Sequence, residues 1–368
     1  MNPLIAYVYR GAMQLPWLLV LMVVVISCEG FVMLYSAAGG DLMRWAMPQM
    51  IRFVVGFVLM IGMAIMPIRF WMRYAYILYG GVIILLIIVE VKGHVGMGAQ
   101  RWIDLGGIKL QPSELAKLTV VLALARYFHH FPPHKYLQVY FLIVPVLLVA
   151  VPVVLILKQP NLGTATLLSG IAVWLMFAAG VHRRYFLIGI ACMAVATPIG
   201  WQSLHGYQKQ RVLTFLEPSA DPLGSGYNIT QSMIAIGAGG IGGKGLMKGS
   251  QTQLDFLPEK QTDFIFTVLA EEFGFMGGGI LIISFSLMVL YIIGIGHRSA
   301  SLFGTLVAHG IAAMLSLHMF INMGMVMGIL PVVGIPLPLF SYGGSIMISI
   351  LCAFGLAMNV WVHRDAKL

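Results

Sequence analysis

Leu257-Pro258-Glu259-Lys260-Gln261-Thr262-Asp263-Phe264-Ile265-Phe266 passes from a charged loop straight into a long apolar run that carries Glu271 and Glu272. Pro258 stiffens the approach. Thr262 or Asp263 is expected to cap the helix start, because the first N–H groups of a helix need an acceptor. Glu271 and Glu272 then lie roughly 12–14 Å along the axis beyond Asp263, at 1.5 Å per residue. Carboxylates at a membrane surface, or below it, are costly enough to count as functional candidates. The plainer alternative makes Asp263 a cap and lets the glutamates satisfy neighbouring helices.

The rest of the chain has the same apolar character. Hydrophobic residues make up 60% of it and charged residues 10%, where a soluble domain has about half and about a quarter. Apolar runs recur near 15–36, 47–66, 74–89, 113–127, 138–157, 162–180, 185–199, 264–295, 303–328 and 342–362. They predict an all-α polytopic membrane protein of about ten transmembrane helices, a single integral domain over 1–368. The run from Leu15 to Leu34 is too long for a signal-peptide core and reads as a first anchor. The fourth span is short, which suits a helix enclosed by protein. Cys28, Cys192 and Cys352 stand apart without metal or disulfide spacing and read as packing residues. A net charge of +9 points to anionic lipid and its headgroups rather than to nucleic acid.

Basic residues set the orientation. Arg10, Arg69, Arg73, Arg126, Lys135, Arg183, Arg184, Arg298, Arg364 and Lys367 share one side if both termini are cytoplasmic. The loops at 90–112, 200–263 and 329–341 then face outward. His129, His130 and His134 fall on the cytoplasmic side without carboxylate or cysteine partners, and read as solvated rather than as a metal cluster.

Three outer stretches carry chemistry. In the first, Arg101-Trp102 precede Gln111-Pro112-Ser113-Glu114. Trp102 suits an interfacial site, and Ser113 can cap the next helix. Glu114 and Lys117 share a helix face and can pair towards the bundle interior, as a structural ion pair or in a cavity where Lys117 meets an anionic headgroup. The second, 200–263, is the one long loop; it should contain short helices, one of them amphipathic near Gly226–Ile236. Its Gly237-Ala238-Gly239-Gly240-Ile241-Gly242 matches a dinucleotide fingerprint in letters, but there is no strand–helix–strand context and we reject it. Lys244 and the loop N–H groups could touch a phosphate. The third, Ile329 to Ser345, has three prolines among apolar residues and reads as a re-entrant segment packed inside the protein.

Taken together, Gly98 to Lys117, Lys158 to Thr166, Tyr207 to Gly274 and Asn322 to Ser345 resemble the signature blocks of the SEDS family (shape, elongation, division and sporulation), across most of the chain. Trp102 to Gly107 and Phe256 to Glu259 resemble the rod-shape-determining branch, RodA, more than the division branch, FtsW. The resemblance implies a peptidoglycan glycosyltransferase of the bacterial inner membrane that polymerises lipid II at the outer face, partnered by a class B penicillin-binding protein. The family's proposed catalytic aspartate follows a His-Thr dipeptide and precedes Phe-Ile-Phe; that position is Asp263, with Gln261 in place of the histidine. Asn161 stands where the family often has aspartate. Matching positions make Arg101, Trp102, Glu114, Lys117, Arg211, Pro258, Glu259 and Ser345 the other site candidates.

These residues suit the chemistry. A sugar hydroxyl must attack an anomeric carbon whose leaving group is a lipid-linked pyrophosphate, and a carboxylate base such as Asp263 assists. Arg101, Lys117 and Arg211 are candidates to bind the pyrophosphate. No cofactor is demanded beyond the option of a divalent cation, Mg or Mn. One base and direct displacement predict inversion, by analogy with glycosidases. Glu114 and Pro258 are expected to be structural or gating. The alternatives are a flippase for lipid-linked precursors, a non-catalytic cell-wall scaffold, and a membrane glycan ligase. A flippase should show midplane charges and paired broken helices, whereas here the acids gather at the outer side.

Overall fold

The computed structural model describes residues 11, 13–96, 99–104, 109–203, 209 and 225–368. Each expected span coincides with a helix: α1 (Trp17–Ala37), α2 (Ala46–Ile65), α3 (Ile68–Lys92), α4 (Pro112–His130), α5 (Val139–Lys158), α6 (Leu162–Ala178), α7 (Arg183–Ser203), α10 (Ile265–His297), α11 (Leu302–Val326) and α12 (Gly344–Val362). Among the described residues, α1, α2, α3, α5, α10, α11 and α12 are long and apolar enough to cross a membrane. Within the long loop before α10 lie α8 (Ser225–Gly239) and α9 (Ser250–Gln253).

The 90–112 loop departs from the all-helical reading. It folds into a small antiparallel sheet, β1 (His94–Gly96), β2 (Ala99–Asp104) and β3 (Lys109–Leu110), in the order β1-β2-β3. His94 pairs with Trp102, and Ile103 with Leu110. Runs this short carry little periodicity, so the sequence signal for strands was weak.

At the centre stands α4, buried on almost every side from Pro112 to Phe128. It packs against α3, α5, α6, α11 and α12. Because protein surrounds it, α4 needs no lipid-facing apolar stripe, and it can hold Glu114 and Lys117 inside the bundle. Ser113 does not cap it. Pro112 is the first helical residue and Gln111 the N-cap residue, which places Ser113 inside the first turn. Small residues let other helices close up. A Cβ on Gly56 of α2 would lie 2.5 Å from Leu351 of α12, and one on Gly310 of α11 2.6 Å from Val121 of α4.

The Gly237–Gly245 stretch, rejected as a nucleotide loop, has a structural use. α10 is broken at Gly274 (φ 65°, ψ −160°), and this loop fills the gap. Lys244 N donates to Glu271 O at 3.1 Å and Gly245 N to Glu272 O at 2.8 Å, while Phe275 N and Met276 N donate to Gly240 O (2.9 Å) and Ile241 O (3.1 Å). The break therefore leaves these four backbone groups satisfied. Such close approach requires glycine. At Gly243, φ is +77° and a Cβ would sit 2.1 Å from Glu272 O. Gly243→Ala should lower stability by roughly 2–3 kcal/mol, from left-handed strain plus overpacking. Thermal unfolding in detergent will show it; an unchanged melting temperature would mean that the loop does not fill the break.

The amphipathic helix expected near Gly226–Ile236 is α8. One face of it packs on α10 and α11, where Ser232 Oγ donates to Val326 O at 2.8 Å and meets Thr267 Oγ1 at 2.7 Å.

Candidate active site

Asp263 sits in a turn one residue before the N-cap of α10. The cap residue is Phe264, and no side chain caps the helix. The expected cap at Thr262 or Asp263 is thus corrected: Thr262 Oγ1 turns back onto Glu259 O (3.2 Å) and Glu259 Oε2 (3.1 Å). The turn is held by its carbonyls instead. Gln261 O accepts from Tyr342 N at 2.8 Å, Thr262 O from Ser341 Oγ at 2.6 Å, and Asp263 O from Asn322 Nδ2 at 2.9 Å. These are three consecutive acceptors, and their donors come from α11 and from the proline-rich stretch.

That stretch, 329–343, is irregular, and Ile335, Leu337, Leu339 and Phe340 are buried in it, as a segment packed inside the protein should be. Several of its polar groups are bonded. Asn322 Nδ2 also reaches Ile335 O at 2.7 Å, Leu337 N donates to Ser341 Oγ at 2.7 Å, and Gln49 of α2 spans Ser341 O (2.9 Å) and Gly343 N (3.2 Å). Gly30 of α1 lets Phe340 in, since a Cβ there would lie 2.8 Å from Phe340 Cα. The half-exposed carboxylate of Asp263 lies against Gly334, where φ is +70° and a Cβ would be 3.5 Å from Oδ2. A fixed backbone beneath a half-exposed carboxylate is what a positioned base needs.

For Glu271 the plainer reading holds, whereas buried Glu272 keeps an Oε2 without a hydrogen-bond partner among the described residues. Glu271 is fully buried and accepts from Lys244 Nζ (2.9 Å), Gln251 N (2.9 Å), Thr252 N (3.1 Å) and Thr252 Oγ1 (2.8 Å). Lys244, a phosphate candidate in sequence, is therefore an ion-pair partner. Glu272 accepts from Ser36 Oγ of α1. Nearby, buried Lys260 reaches Thr252 O at 2.7 Å and Asp255 Oδ1 at 2.5 Å. That hydrogen bond, reinforced by the ammonium charge, holds the Asp255 carboxyl below the usual carboxylate range.

The remaining candidates are spread around this frame. Glu259 has a left-handed backbone (φ 54°) and Pro258 beside it is exposed. Ser345 is half-buried in the first turn of α12. Trp102 is half-buried in β2. Arg101 is a clamp: its Nε donates to Gln159 O at 3.2 Å and its Nη2 to Pro160 O, which fixes β2 to the turn before α6. Asn161 caps α6, accepting from Thr164 N at 3.2 Å. Arg211 lies outside the described residues. Lys117, expected to meet a headgroup, is instead 1% exposed and bonded to Glu114 Oε2 at 2.8 Å and His318 Nε2 at 2.9 Å. Ser349 Oγ donates to the same glutamate at 3.2 Å.

The sequence reading missed His318, Asn322, Gln49, Ser341 and Arg52. His318 and Asn322 are four residues apart inside an apolar run, and a rule that polar residues within a span need partners would have flagged both. Arg52 stacks on the Tyr342 ring, 4.8 Å from its centroid, and lies 3.5 Å from where a Cβ on Gly344 would be. It places a cation at the start of α12, where helix N–H groups also favour anions. Among the described residues no three His, Cys, Asp or Glu side chains converge on a metal position.

Known proteins share this fold. The chain is 44% identical over 337 residues to the peptidoglycan glycosyltransferase MrdB of Escherichia coli K12, covering 90% of this chain and 89% of that one. A chain from a peptidoglycan synthase complex, solved to show how polymerization and crosslinking are coordinated, superposes with a TM-score of 0.84 at 33% identity, over 96% of this chain and 99% of that one. The crystal structure of Thermus thermophilus rod shape determining protein RodA gives a TM-score of 0.73 at 30% identity, over 96% and 98%. The family model for the FtsW/RodA/SpoVE cell cycle proteins matches residues 13–366, and the chain belongs to that family.

Proposed function

We propose that this multi-pass membrane protein is a peptidoglycan glycosyltransferase that polymerises lipid II during cell elongation, with Asp263 as general base. The observation that carries the assignment of Asp263 is the three-carbonyl frame, which fixes the backbone of the turn and leaves the carboxylate half-exposed. The acceptor sugar hydroxyl loses its proton to the Asp263 carboxylate as its oxygen bonds the anomeric carbon. The bond from that carbon to the pyrophosphate breaks, and the lipid pyrophosphate leaves with the electron pair. Direct displacement of this kind inverts the anomeric centre. Arg52 and the N-terminus of α12 are placed to receive the leaving phosphates. Glu259 Oε2 already accepts from Gln261 Nε2 (3.3 Å) and Thr262 Oγ1 (3.1 Å). A Mg or Mn ion, where one is used, would neutralise charge on the leaving pyrophosphate.

Both termini are cytoplasmic in this reading and the Asp263 end faces the periplasm; the basic residues at the opposite helix ends support that orientation. The partner is a class B penicillin-binding protein, consistent with the synthase-complex relative. The test is purified protein in detergent with lipid II, with and without such a partner. Glycan strands are expected. A flippase or a scaffold would yield none, because transport needs a bilayer and scaffolding makes no product.

A further inference from the structure

At the ends of α3, α4 and α5 remote from Asp263 lies a cavity of about 700 Å³ whose lining includes Arg73, Tyr76, Arg126, His129, His130 and Val144. Arg126 lies twelve residues beyond Glu114 on α4, roughly 18 Å along the axis at 1.5 Å per residue. Four of these six are basic, and no carboxylate side chain lines the cavity. Among the described residues neither arginine has an acidic partner.

The arginines are not a loose solvated cluster. Arg126 Nη1 donates to Arg73 O at 2.6 Å, and its guanidinium stacks on the Tyr76 ring, 4.5 Å from the centroid. This immobilises the planar fork before any ligand arrives and leaves other N–H donors unspent, the arrangement that suits a phosphate. His129 adds a buried Nδ1 with no hydrogen-bond partner. Val144, which lines the cavity, is 43% exposed, and the chain neighbours of Tyr76 and Val144, Ile77 and Ile143, are 67% and 54% exposed. A basic, aromatic-walled cup beside exposed aliphatic side chains matches an amphiphile, with phosphate inside and acyl chains outside.

We infer that this cavity is a binding site for the phosphate headgroup of an anionic membrane lipid, separate from the site built around Asp263. The juxtaposition that carries it is the preoriented Arg126 beside Arg73, in a cavity without acidic side chains that opens onto lipid-facing α3 and α5. Interfacial arginines are attracted to anionic lipid in any case, but that general effect predicts no stoichiometric site and no dependence on these two residues over other basic side chains.

Native mass spectrometry of the purified full chain tests this, with phosphatidylglycerol or phosphatidylcholine added in detergent. Wild type should retain one phosphatidylglycerol, and the Arg73→Gln/Arg126→Gln variant should need about tenfold more lipid for the same occupancy, the cost of losing charge-assisted bonds. Arg184→Gln, another arginine of the expected cytoplasmic set, should leave retention unchanged. If the double variant does not fold, Arg73→Gln alone decides. It keeps the backbone oxygen that Arg126 uses, and should still weaken retention severalfold. Equal retention of phosphatidylcholine, retention independent of the two arginines, or displacement of the lipid by millimolar inorganic phosphate would each overturn the inference, the last by making this a site for a free anion.

Discussion

Lys117→Met is expected to destabilise the protein by about 3–5 kcal/mol, and Glu114→Gln in the same chain should recover most of that loss. The asymmetry follows from burial. Lys117 is 1% and Glu114 5% exposed, so removing the ammonium strands a carboxylate where water cannot reach it. The network is wider than the pair. His318 Nδ1 faces Met314 O at 2.7 Å; a carbonyl only accepts, so Nδ1 carries the proton and Nε2 is left to accept from Lys117. Ser349 donates to Glu114, and the cluster thus ties α4, α11 and α12 together. The double substitution turns a charged core into a neutral one of similar volume, which is often tolerated. Melting curves of the two single variants and the double variant in detergent form the cycle. If the double variant melts as low as Lys117→Met, the charges are not each other's main compensation and the account of α4 is wrong.

The second large effect is on chemistry. Asp263→Asn should slow glycan polymerisation by about 10²–10⁴-fold, the usual contribution of a positioned base, with little change in stability. The amide is isosteric with the carboxylate, and the frame is untouched because it uses the Asp263 backbone carbonyl, through Asn322 Nδ2. Asn322→Ala should behave differently. It strips bonds from Asp263 O and Ile335 O at a fully buried residue, at a cost of roughly 1–3 kcal/mol per acceptor left without a partner. It should therefore lower the melting temperature and slow turnover together. A melting curve beside a lipid II binding isotherm separates the two: Asp263→Asn should match wild type in both, whereas Asn322→Ala should fall in melting temperature.

How far the sequence could be read depended on the range of the interactions. The helices were legible because an apolar run of 20 residues is a local signal, and each of the ten runs became a helix. The Glu114–Lys117 pair was legible for the same reason, being three residues apart on one helix face. Asp263 stood out because charge beside a span is unusual. The frame beneath it was not legible. Gln261, Thr262 and Asp263 are bonded by residues 59 to 81 positions later, through main-chain carbonyls that leave no mark in composition. Thr262 looked like a cap because Thr suits that role locally; the tertiary bond to Ser341 prevailed. Lys244 misled in the opposite way. A lysine in a glycine loop suggests a phosphate, until Glu271, 27 residues on, folds over it.

Polymerisation of lipid II by the purified wild-type protein and by folded Asp263→Asn, with the class B partner present in both, tests the central claim most directly. Wild type should form glycan strands and the variant none above background, at equal lipid II binding. Equal strand formation by both proteins would contradict it and remove Asp263 from the mechanism.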